Sequence, residues 1–341
     1  MAVSHQRWCR SPCARIRGVT ATKRVIDATA TAARLADISR AHVAEALKGK
    51  GLWLDLGALT LHVRSCAENL PAQLQACYPE FPFVTRSDWA DVHVRLEPGR
   101  GLRRFIKPQA VFLADAREVF APFPADSPLP LMEWGANWLI GQRTHHLLLL
   151  HAGALERDGR ALVLPALPGS GKSTLTAALS HRGWRLLSDE FGAFDPMTGQ
   201  FRAMLKPVAL KNESIEVIRK FEPSACIGPI FPKTRKGDVA HMAASALAVR
   251  RRKEGARPGA IVLPRWEAGS PTKLQRASPE TAFSSLAFNA FNYQLLGEAG
   301  FDAVLDIVRQ SPAWELVYSD LDDAIKALDV EWQALPAGDW S

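Results

Sequence analysis

The run Ala166-Leu167-Pro168-Gly169-Ser170-Gly171-Lys172-Ser173-Thr174 gathers two glycines, a lysine and several hydroxyls between a strand-like stretch, residues 161–164, and a helical one, residues 175–180. Backbone amides at a helix N-terminus behind a Gly-rich turn converge on one anion, so this order of elements makes a phosphate cradle. Gly169 and Gly171 permit the tight curvature and close approach that a phosphate needs. Pro168, Gly169, Ser170, Gly171, Lys172, Ser173 and Thr174 are therefore the expected nucleotide-binding residues, with Lys172 reaching the β and γ phosphates of ATP and Ser173 placing its hydroxyl on Mg²⁺. Ala166 departs from the strict Walker A pattern, which has glycine there.

A second group follows. The segment Gly183-Trp184-Arg185-Leu186-Leu187-Ser188 reads as a short apolar strand that ends on Asp189 and Glu190, 16 residues beyond Ser173. Carboxylates at the end of a strand beside a phosphate loop are placed to hold Mg²⁺, directly or through water, or to take a proton from an attacking hydroxyl. A solvated turn or a cap for the next helix is the plainer reading of the same acids.

The elements that must position these residues are legible in the hydrophobic pattern. Leu52, Leu54 and Leu56, then Leu59, Leu61 and Val63, recur with period two around Gly57, predicting a hairpin. Residues 92–96 and 110–113 suggest more antiparallel sheet around a basic segment, so residues 45–121 read as a small α+β module. The proline-rich stretch 122–130 reads as a linker, and Leu131, Trp134, Trp138 and Leu139 fall at helical spacing after it. A second domain, residues 131–329, is then expected. It begins with a strand over 146–155, a turn at Asp158-Gly159 and the strand that delivers the chain to the phosphate loop. Residues 330–341 read as a C-terminal tail.

Composition sets bounds on function. The 341 residues are 47% hydrophobic and 23% charged, the make-up of a soluble globular chain, and no apolar run approaches the length of a membrane span. The net charge is +7, but Arg7, Arg10, Arg15, Arg17, Lys23 and Arg24 precede the first acid, Asp27, and account for six of those charges. The body is thus nearly balanced, which argues against nucleic-acid binding and makes residues 1–44 a flexible basic tail. The five cysteines lack the paired spacing of a zinc site, and a cytoplasmic location is expected.

Several further groups stand out. Lys206, Lys211 and Asn212 could face the phosphates, residues 233–237 have the composition of a mobile loop, and residues 250–253 read as an exposed basic turn before a strand at 260–263. Phe283, Leu286, Phe288, Phe291, Tyr293 and Leu295 fit helical core packing better than base stacking, with Asn289 and Asn292 as amides that could face the site.

Gly171-Lys172-Ser173-Thr174, followed by Arg182-Gly183-Trp184-Arg185-Leu186-Leu187-Ser188-Asp189-Glu190, resembles HPr kinase/phosphorylase, and more closely the HPr kinase-related kinases (type A) of bacterial biosynthetic clusters. The resemblance extends through Glu133-Trp134-Gly135-Ala136-Asn137-Trp138, His151-Ala152-Gly153-Ala154, Leu210-Lys211-Asn212-Glu213-Ser214-Ile215 and Phe288-Asn289-Ala290-Phe291-Asn292-Tyr293, covering roughly residues 51–328. It implies an α/β P-loop kinase core of the HPr kinase and phosphoenolpyruvate carboxykinase type. By position it makes Asp189 the catalytic base, Glu190 the metal-associated acid and His151 the histidine near that base. Glu190 stands where the bifunctional enzyme has a second aspartate, so HPr itself is not the expected acceptor.

These expectations combine as an ATP- and Mg²⁺-dependent kinase acting on a Ser or Thr hydroxyl of a peptide or protein. Catalytic roles fall to Asp189, Lys172 and His151, and Ser173, Glu190 and Asp189 surround the metal. Family analogy implies a homo-oligomer. A nucleotide-gated regulatory or scaffold protein that binds ATP without an acceptor is the alternative.

Overall fold

A computed structural model describes residues 33–234 and 236–335, apart from the side chains of Arg104 and Lys233. The basic run 7–24, Cys9 and Cys13 lie outside the described residues. Ser39 caps α1 (Arg40–Lys48) by accepting the His42 amide at 3.3 Å, and Val43 and Leu47 on that helix are buried. β1 (Leu52–Asp55) and β2 (Thr60–Ser65) form the expected antiparallel hairpin, Leu54 facing Leu61, with Gly57 at φ +107° in the turn. After α2 (Leu70–Cys77), β3 (Val92–Pro98) runs parallel to β2, and β4 (Gln109–Ala114) returns antiparallel to β3. The short strands β5 (Arg117–Glu118) and β6 (Phe123–Pro124) both pair with β4, completing a six-stranded sheet.

Three expected boundaries are corrected here. The tail does not extend to residue 44, because Arg34 pairs with Glu80 at 3.1 Å and Leu35 is fully buried. The stretch 122–130 is no linker: it holds β6 and the start of α3 (Pro128–Arg143), with Leu129 and Leu131 at zero exposure. Its prolines occupy a sheet edge and a first helical turn, the positions that need no backbone N–H donor. Residues 330–333 are no tail either, since α10 (Leu321–Gln333) runs past residue 330 and buries Trp332 against Trp184.

The expected strand over 146–155 is two strands. β7 (Leu148–Leu150) and β8 (Ala152–Arg157) join different sheets, and the chain breaks at His151, whose amide donates to the Asn289 carbonyl at 2.7 Å. Asp158 and Gly159, both at positive φ, turn β8 into β9 (Arg160–Pro165). Next come α4 (Lys172–Ser180), β10 (Arg185–Ser188), β11 (Gly192–Asp195), β12 (Gln200–Arg202), β13 (Val208–Lys211) and α5 (Glu213–Phe221). They are followed by β14 (Phe231–Thr234), β15 (Gly237–Met242), α6 (Ala246–Arg250), β16 (Arg257–Trp266), β17 (Lys273–Arg276), α7 (Pro279–Phe288), α8 (Tyr293–Leu296), α9 (Glu298–Gln310) and β18 (Ala313–Tyr318).

The result is a mixed α/β fold. Its central sheet has the order β10-β8-β9-β16-β18-β17, in which β9, β16 and β18 pair in parallel and the remaining neighbours pair antiparallel. β9 and β16 are near-continuous apolar runs, as strands covered on both faces must be. Two three-stranded sheets, β12-β11-β7 and β13-β15-β14, flank it. The N-terminal sheet shares this core: the Leu205 amide donates to the Leu56 carbonyl at 2.8 Å, and Asp55 pairs with Arg252 at 3.2 Å and Lys253 at 2.6 Å. The basic turn expected at 250–253 is exposed at Arg250 and Lys253, while Arg252 is part-buried against Asp55. Among the described residues, no helix is long and apolar enough to cross a membrane.

Candidate functional site

The loop 166–171 leaves the buried strand β9 and enters α4, as the phosphate-cradle pattern requires. Gly169 (φ +89°) and Gly171 (φ +84°) supply its left-handed turns. Space around Gly169 is open, whereas a Cβ on Gly171 would lie 2.4 Å from the Tyr318 hydroxyl and 2.8 Å from Trp266 Cβ. The ends of β16 and β18 thus brace the loop. The Trp266 amide donates to the Ser170 carbonyl at 2.9 Å, and the Tyr318 hydroxyl donates to the Gly171 carbonyl at 3.1 Å. Lys172, Ser173 and Thr174 form the first turn of α4, whose amides have no partner inside the helix. Pro168 lies at the tip of the loop, exposed.

β10 delivers Asp189 to this turn. Lys172 Nζ lies 3.3 Å from Asp189 Oδ1 and also donates to the Asp189 backbone carbonyl, with both side chains buried. Asp189 Oδ2 and Ser170 Oγ are buried with no hydrogen-bond partner among the described residues. Buried polar atoms ordinarily find partners, so these two are exceptions at the loop.

Glu190 is surrounded by positive charge. Burial alone would raise its carboxyl, but Lys172, Lys211, Lys206 and His151 together hold it down at about 2. His151 is partly buried at the break between β7 and β8. Burial, with Lys172 close by, lowers its pKa against the pull of Glu190 and Asp189 and leaves a neutral imidazole at pH 7. The structure therefore brings Lys172, Asp189, Glu190 and His151 into one electrostatic neighbourhood, with Ser170, Ser173 and Thr174 on the loop and helix beside them.

The other expected residues divide. Lys211 belongs to the cationic surroundings of Glu190, and burial lowers its pKa. Lys206 adds to that field too, but its Nζ is bonded to a buried acid, 2.7 Å from Glu133 Oε2, and lies 2.5 Å from Asn137 Oδ1. Asn212 is structural: at φ 50° it opens α5 and accepts the Asp238 amide at 3.0 Å. Asn292 is structural too, bonded to the backbone of Leu149, Leu147 and Thr144. Of residues 233–237, Thr234 ends β14 and Gly237 begins β15, and Arg235 and the Lys233 side chain lie outside the described residues.

The aromatic group is only half core. Leu286 is fully buried, but Phe288, Phe291 and Leu295 are exposed. Helical spacing does not hold across them, because α7 ends at Phe288 and the chain turns through residues 289–292, touching β7 by a single bridge from Ala290 to Leu150, before α8.

Glu133, Tyr78, Trp266 and Tyr318 were not anticipated as parts of the site. The Tyr78 hydroxyl donates to Glu133 Oε1 at 2.5 Å, so Glu133 joins α2 to Lys206. A lone acid among Leu129, Leu131, Met132 and Ala136 was the available signal, since a charge on an apolar stretch must find a partner.

Among the described residues no three His, Cys, Asp or Glu side chains converge as a preformed metal cage. Mg²⁺ at nucleotide sites asks for less: one or two carboxylates, with phosphates and water completing the shell. Asp189 and Glu190 suit that demand. Comparison with known proteins gives no family model that matches the chain and no curated protein that matches it.

Proposed function

We propose that the chain is a Mg²⁺- and ATP-dependent kinase, with a P-loop core of the HPr kinase-related type, that phosphorylates a Ser or Thr hydroxyl of a peptide or protein. The observation that carries this reading is the buried approach of Lys172, at the start of α4, to Asp189, at the end of β10. A lysine over a phosphate cradle facing an acid is the pair that phosphoryl transfer needs.

ATP supplies the phosphoryl group, and Mg²⁺, when bound at Asp189, Glu190 and Ser173, neutralises phosphate charge. The amides of residues 169–174 and Lys172 bind the phosphates, Lys172 exchanging its carboxylate partner for phosphate oxygens. Asp189 orients the acceptor hydroxyl and takes its proton as the acceptor O–P bond forms and the bond to the β-phosphate oxygen breaks, leaving ADP. Neutral His151 packs beside the acids without adding positive charge that would compete for the base. Tyr318 and Trp266 hold the loop in its turn.

The test is acceptor labelling with γ-labelled ATP in a lysate, using wild type and Asp189→Asn. Label that depends on Mg²⁺ and vanishes in Asp189→Asn, while ATP binding persists, supports the kinase. ATP binding without a labelled species favours a nucleotide-gated scaffold instead.

A further inference from the structure

Phe291 stands at the outer edge of the acid pair. Its ring centroid lies 5.6 Å from that of His151 and 5.0 Å from that of Phe191, the residue after Glu190, yet Phe291 is 54% exposed. Phe288 and Leu295, on either side in sequence, are 78% and 66% exposed. Three large apolar side chains left exposed within eight residues of sequence, one of them packed on His151, mark a surface built to be covered.

The segment that carries Phe291 is pinned. The Phe291 amide donates to the Leu149 carbonyl at 2.8 Å, and the His151 amide donates to the Asn289 carbonyl at 2.7 Å. Buried Asn292 accepts the Leu149 amide at 3.0 Å and donates to the Leu147 carbonyl at 2.8 Å. Backbone bonds on both sides of Phe291 fix where its ring projects.

The charged end of the phosphate loop tells which ligand would meet that ring. Trp266, whose amide is bonded to the Ser170 carbonyl, lies against Gly171, the residue before Lys172. Lys172, Asp189, Glu190 and His151 gather at that same end. The phosphoryl group being transferred belongs beside the lysine and the acids, so the hydroxyl that receives it approaches on the side that Phe291 borders through His151 and Phe191.

We infer that Phe291, supported by Phe288, determines acceptor specificity by seating an apolar side chain next to the hydroxyl that receives the phosphate. This rests on the kinase reading above. An apolar flank covers the two rings and excludes water from the site, whereas a small polar flank leaves them wet.

The experiment offers γ-labelled ATP and two pools of Ser-centred peptides, one flanked by Leu and Phe, the other by Gly and Asn. Wild type, Phe291→Ala and Phe291→Leu are compared, with ATP binding measured on each. Wild type is expected to label the apolar pool roughly tenfold better, by a lower KM. Phe291→Ala should erase the preference while binding ATP normally, and Phe291→Leu should restore most of it. Equal labelling of both pools by wild type, or an undiminished preference in Phe291→Ala, overturns this inference and leaves the kinase standing. Wild type that binds ATP but labels neither pool counts against the kinase reading and removes the inference with it.

Discussion

Lys172 Nζ sits 3.3 Å from Asp189 Oδ1, so the cation expected to meet phosphate already holds the carboxylate expected to act as base. The pair is separated by 17 residues in sequence and joined by the packing of α4 against β10. Two substitutions there separate binding from chemistry. Lys172→Ala is expected to abolish Mg²⁺-ATP binding by calorimetry. Asp189→Asn keeps the shape and should retain binding while turnover falls about 10²–10⁴-fold, the usual worth of a general base. Unchanged turnover in Asp189→Asn would refute the base assignment.

Lys206 and Glu133 form a second buried pair at 2.7 Å, extended by Tyr78 and Asn137. Removing one member strands a charge in the interior, so Glu133→Ala is expected to cost about 3–5 kcal/mol in urea denaturation. The double variant Glu133→Leu/Lys206→Met, which removes both charges, should cost less than Glu133→Ala alone. Additive costs would show that the two side chains do not compensate each other.

Gly171 has no room for a side chain. Alanine there meets a positive φ and the Tyr318 hydroxyl together, and is expected to cost about 1–3 kcal/mol and to weaken ATP binding. At Gly169, where the space is open, alanine meets only the backbone strain. Thermal denaturation of the two variants should rank Gly171→Ala as the more damaging, and the opposite order would contradict the brace formed by β16 and β18.

Buried imidazoles set the response to acid. Burial lowers His62, His181 and His241 from the ordinary value of 6.5. The unfolded chain therefore takes up protons near pH 6.5 that the folded chain refuses until lower pH, and stability must fall as pH drops below that value. The thermal midpoint should be lower at about pH 5.5 than at about pH 7.5. A midpoint that rises on acidification would be inconsistent with these histidines being buried.

Much of the candidate site was readable because its parts are local. The strand, Gly-rich turn and helix of 161–180 use neighbouring residues, and the Asp158-Gly159 turn and the Leu52–Val63 hairpin carry their own backbone chemistry. The prolines of 122–130 misled because the same residue suits a linker, a strand edge and a first helical turn. Only the partners across the sheet and helix decide which.

By itself, then, the sequence determined the strand, glycine turn and helix of 161–180, the acids that follow them and the alternation that builds the sheets. These are properties of short windows with a fixed period or a fixed φ requirement. Tertiary structure alone decided that Lys206 is spent on Glu133, that Asn292 pins the backbone while Phe291 stays exposed, and that His151 breaks a strand beside Asp189 and Glu190. Each of those outcomes depends on which distant group arrives to satisfy a buried charge, amide or ring. Local spacing carries no record of that arrival.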